Sequence, residues 1–176
     1  YNPTTIINSE PGYPFHAGSN VTSDDSLSSE FRVHSGTDKI INLTPLRDNL
    51  VIYAEQHVVL GQYVGGDTIF MFREVISDRG PVAPRAVADF GNYHKFIGPD
   101  TEYTFDGVSA DKVNLQVMRN LVLQIDPVRK DQCFKHFDES NGDRRWSVPL
   151  TTDDAAGTLG GIAEEAYVEH YLEEIP

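Results

Sequence analysis

An all-β fold is predicted, made of antiparallel β-hairpins repeated as part of a β-propeller and preceded by an extended N-terminal arm. Three observations predict it. Short runs rich in Val, Ile, Phe and Tyr alternate with a period of two, turn-forming Gly, Asp, Asn and Pro separate them, and the hairpins recur at a near-constant interval. Ile52, Phe96 and Phe137 fall at comparable hairpin positions, 44 and 41 residues apart. A four-stranded propeller blade takes about 40–45 residues. An all-β sandwich whose hairpins recur through turn length alone is the alternative.

Residues 1–45 read as the arm. The first thirty are rich in Asn, Ser, Thr, Pro and Gly, and the isolated Phe15, Val21 and Leu27 keep no period. Tyr13 and Phe15 are either anchors on a neighbouring subunit or ordinary loop residues. Residues 46–151 form the repeat region. Its first unit is a meander of Leu50–Tyr53, a connection at Glu55-Gln56, His57–Tyr63, a turn at Gly65-Gly66-Asp67, and Ile69–Val75. The second opens after Ser77–Pro81 with Arg85–Phe90, then pairs Tyr93–Ile97 with Thr101–Phe105 around Gly98-Pro99-Asp100 and closes at Asp106-Gly107. The third is Gln132–Phe137 and Arg144–Pro149 around Asp138–Asp143. Between the last two, Ala110–Ile125 predicts a short helix or one helical turn. The acidic segment 152–176 carries a strand at Ala166–Leu172, where alternation is cleaner than any helical stripe. It is expected to lead into a missing part, since at most two full blades and part of a third fit in this length and the chain starts at Tyr1.

The 176 residues carry a net charge of −13, unevenly spread. Residues 1–30 hold four acids and 153–176 hold seven, with no Lys or Arg in either, so the repeat region is nearly neutral. General adhesion to nucleic acid is disfavoured, because the phosphate backbone is gripped by Lys and Arg. No run of eighteen apolar residues or secretion-signal pattern is present, so no membrane span is expected. Cys133, the single cysteine, reads as a small apolar filler of a strand. It excludes an internal disulfide and a Cys-based zinc cluster within one chain.

The residues available for chemistry are assigned structural roles. His57, His94 and His136 fall one to a hairpin, which spreads them around a ring and does not gather them on a metal. Asp67, Asp100 and Asp106 lie in turns without a calcium-loop pattern. Gly61, Gly65 and Gly66 lack the Lys-Ser or Lys-Thr of a phosphate loop. Asn20-Val21-Thr22 and Asn42-Leu43-Thr44 match glycosylation acceptors in form only. Arg144-Arg145-Trp146 reads as a solvated edge beside a buried indole, and stacking on a nucleotide is the lesser reading. No catalytic, cofactor-binding or metal-binding residue is assigned, and no cofactor is expected.

Several phrases occur together: Asp48–Glu55, Gln62–Gly66, Phe70 with Phe72-Arg73, Gly80–Val87, Phe96-Ile97-Gly98 and Tyr103–Gly107. In combination they resemble the β-propeller structural proteins of tailed bacteriophages, of the head-to-tail neck, DNA-stabilising plug or tail nozzle type. The resemblance covers residues 46–107 well and 108–176 loosely. It places Asp48, Tyr53, Gly65, Gly98, Phe105, Asp106 and Gly107 at turns and blade-core positions, none of them catalytic. It implies a non-enzymatic virion component, located in the phage neck or tail and assembled in the host cytoplasm. The implied partners are a homo-oligomeric ring, other head, portal or tail proteins, and double-stranded DNA sliding past acidic flanks. A carbohydrate-binding or polysaccharide-degrading propeller, using Glu55, Asp89 and Asp106, is the second reading.

Overall fold

The computed structural model describes residues 5–8, 29–32, 38–65, 70–113, 116–138, 143–151 and 165–170. The chain divides into two compact units, Tyr1–Gly80 and Pro81–Pro176. Among the described residues all strand pairing is antiparallel.

In the first unit, β1 (Thr5–Asn8) pairs with β2 (Ser29–Arg32) as a separate two-stranded sheet. A four-stranded meander follows, in the order β3 (Ile40–Leu46), β4 (Asn49–Ala54), β5 (Val58–Tyr63) and β6 (Phe70–Ile76). The last three are the strands expected from the β-rich runs. β3 was not anticipated, because Asn42 and Pro45 interrupt its pattern. Proline fits there because β3 is an edge strand, where a missing N–H on the outer side costs no ladder bond. The turn between β3 and β4 is Arg47-Asp48, with Arg47 at φ 55°. A two-residue hairpin loop favours that backbone sign because it matches the right-handed twist of the strands.

β4 is central, and Val51, Ile52, Tyr53 and Ala54 are all buried. One face of the sheet carries Leu50, Gly61 and Phe72 as register partners, followed by Ile52 and Val59. Gly61 leaves room for this crossing: a Cβ would lie 2.9 Å from Cε1 of Phe72, so the ring passes over β5 where no side chain stands. Ile52, Ala54 and Val59 form a buried cluster, with Ile40, Leu50 and Phe72 packed against it.

The second unit holds another meander, β7 (Val87–Asp89), β8 (His94–Ile97), β9 (Glu102–Phe105) and β10 (Ala110–Lys112). β10 takes the first residues of the stretch expected to be helical. Asp106 turns the chain back by accepting hydrogen bonds from the Val108 and Ser109 N–H groups, both at 2.8 Å, and Gly107 supplies φ 98°. The expected short helix is α1 (Gln116–Leu123), which buries Met118, Leu121 and Val122 at i, i+3 and i+4 spacing. It ends as the Gln124 and Ile125 N–H groups reach back three residues to Leu121 and Val122. After a 3-10 turn at Lys130–Gln132, a three-stranded sheet comprises β11 (Phe134–Asp138), β12 (Asp143–Val148) and β13 (Glu165–His170). β13 takes the strand reading of the C-terminal segment.

The propeller expectation is overturned. The fold is all-β, and among the described residues the sheets are open, none closed or assembled into a propeller-like arrangement. The period fails at its third member for a definite reason. Ile52 and Phe96 lie in the second strands of four-stranded meanders, whereas Phe137 lies in the first strand of a three-stranded sheet. A helix and a 3-10 turn fill the interval before it, so equal spacing conceals unequal structure. No helix among the described residues is long and apolar enough to cross a membrane.

Candidate functional site

Two buried polar centres stand out, one in each unit. In the first, Asp38 and His57 are both buried, with His57 Nδ1 2.5 Å from Asp38 Oδ2. Asp38 Oδ1 also accepts the Gln56 N–H at 3.1 Å. Around the same connection the Glu55 N–H donates to the Lys39 carbonyl and the Ala54 N–H to the His57 carbonyl. One carboxylate thus satisfies a backbone donor and a ring N–H that would otherwise be stranded in the interior. An Asp–His pair is a chemistry-capable arrangement, since the carboxylate fixes which nitrogen carries the proton. Here its geometry ties the segment before β3 to the β4–β5 connection.

In the second unit, Glu102 on β9 is buried, and its Oε1 accepts Trp146 Nε1–H at 2.8 Å and Lys135 Nζ–H at 3.3 Å. The Lys135 ammonium also lies 4.4 Å from the centre of the Trp146 ring and 4.8 Å from that of Phe90. Phe90 stacks on Tyr93 with centroids 5.0 Å apart. A buried cation is tolerated because a carboxylate and two ring faces replace its water. These groups link β9 to β11 and β12, and the indole N–H has the partner that a buried Trp needs. Trp146, Cys133, Val148 and Leu150 join Ala83, Ala86, Ile97 and the buried side of α1 in one apolar cluster. Burial pushes the Cys133 thiol up to about 11, which keeps it protonated and unreactive at neutral pH.

The residues singled out from sequence are not brought together. His57 is paired as described, and the buried His94 has Nε2 3.7 Å from Asp89 Oδ1. The His136 side chain and Asp67 lie outside the described residues. Asp100 accepts hydrogen bonds from Lys112 Nζ at 2.7 Å and from the Tyr103 hydroxyl. Asp89 Oδ1 accepts the Gly91 N–H at 2.6 Å, and Asp106 caps its own turn. Both carboxylates are therefore engaged by turn backbone, and Glu55 is an exposed residue of the β4–β5 connection. Among the described residues no group of three or more His, Cys, Asp or Glu is placed to hold a metal ion. Trp146 is fully buried, which accords with packing rather than nucleotide stacking.

A third feature was not anticipated. Tyr63, Val64 and Met71, beside the connection from β5 to β6, are 64%, 48% and 52% exposed. The ring of Tyr63 meets Phe70 edge-on at 5.8 Å, and Phe70 lies 6.1 Å from Phe72. The sequence signal was present in the apolar residues that flank the Gly65-Gly66 turn directly. Asp38, Glu102 and Lys135 gave less notice, since each looks like an ordinary surface charge until its partner, 19, 44 or 33 residues away, is known.

No family model matches the chain, and no curated protein matches it either. Together with the open sheets, this overturns the resemblance to bacteriophage propeller proteins. The local readings that carried it are sound as far as they go: Tyr53 and Phe105 are buried, and Gly65 and Gly107 have positive φ. Such turns and strand cores belong to antiparallel meanders in general. The virion location and the phage partners rested on that resemblance and lose their support with it.

Proposed function

We propose that this chain is a non-enzymatic assembly module that associates with copies of itself and works by shape. The observation that carries this reading is where the buried polar side chains are committed. Asp38 is engaged by His57, His94 lies beside Asp89, and Glu102 is engaged by Lys135 and Trp146. These groups hold turns and sheets in place, as a framework requires, while large apolar side chains stand at the surface. Eleven of the thirteen net negative charges lie in residues 1–30 and 153–176. The copies therefore meet through the nearly neutral middle, and the acidic ends repel phosphate backbones.

Sedimentation velocity of the full chain over a wide concentration range tests the reading. A discrete oligomer that persists at moderate salt is expected, with no retention of duplex DNA. A strictly monomeric chain, or polysaccharide binding that Asp89→Ala abolishes, would replace it with another function.

A further inference from the structure

We draw no further inference here: the strongest candidate, the surface patch of exposed Tyr63, Val64 and Met71 beside the connection from β5 to β6, carries nothing because strand alternation sets Tyr63 and Met71 on opposite faces of the sheet and nothing in the structure shows what covers it.

Discussion

The two four-stranded meanders share a strand order and differ in how their charged residues and faces are used. In the first unit the buried pair, Asp38 and His57, is local: it holds one turn of one sheet. In the second the buried group spans two sheets, with Glu102 on one and Lys135 and Trp146 on the other. The same unit supplies α1 and the three-stranded sheet to cover Ala83, Ala86 and Ile97. The first meander ends instead in exposed Tyr63, Val64 and Met71. A meander that brings its own cover needs an internal ionic pin to align two layers.

The largest test of this contrast is Glu102→Ala. It leaves the Lys135 ammonium and the Trp146 N–H without their acceptor in a dry site, and breaking a buried pair in this way costs about 3–5 kcal/mol. Urea unfolding followed by the single Trp should show that loss. Glu102→Gln, which keeps an acceptor for the indole, should lose less. A midpoint unchanged in Glu102→Ala would show that the apolar cluster alone aligns the sheets. In the first unit the comparable test is steric. A Cβ on Gly80 would lie 1.8 Å from the Ala54 carbonyl oxygen and 3.0 Å from two backbone carbons, which no rotamer change relieves. Gly80→Ala should reach the upper end of the usual overpacking cost of about 1–3 kcal/mol, read by thermal unfolding.

These residues also show what was legible beforehand. Strands β4, β5, β8, β9 and β12 were readable because each alternates between apolar and polar residues, or is continuously apolar, between strong turn signals. Those are local properties of the chain. β3 was not readable, since Pro45 is acceptable only on an edge, and edge position is a fact of the whole sheet. Nor was β10, because Ala110-Asp111-Lys112 has no strand propensity and is held by pairing with Tyr103–Phe105. The propeller expectation failed because a period in sequence does not report which strand of a sheet each member occupies. The buried centres were hidden for a related reason: Glu102 becomes a core residue only through Trp146, 44 residues on.

A smaller effect of opposite sign is expected at the β3–β4 turn. Arg47 adopts φ 55°, where an ordinary L-residue is strained by about 1–2 kcal/mol and Asn much less. Arg47→Asn should therefore stabilise the first unit by up to about 1 kcal/mol. Thermal unfolding checks it, and an unchanged or lower melting temperature would show that Arg47 is not strained at this turn.

The smallest effect separates an exposed ion pair from the buried ones. Burial opposes ionisation of Asp100, but hydrogen bonds from Lys112 and Tyr103 outweigh it and hold the carboxyl below its ordinary value of 3.8. A folded-state value below the unfolded one means that the unfolded chain binds the proton first as pH falls. The stabilisation is therefore fully present above about pH 4, and is lost as pH drops through the lowered folded-state value. Lys112 and Asp100 are both exposed, 45% and 44% at the side chain, so salt should screen most of the contribution. Lys112→Met should raise the Asp100 midpoint toward 3.8 in a carboxyl-detected NMR titration and barely move the melting temperature at neutral pH. A large loss of stability in that variant would place Asp100 with Glu102 among the pins of the second unit, and the contrast between a solvated turn and a buried pin would have to be redrawn.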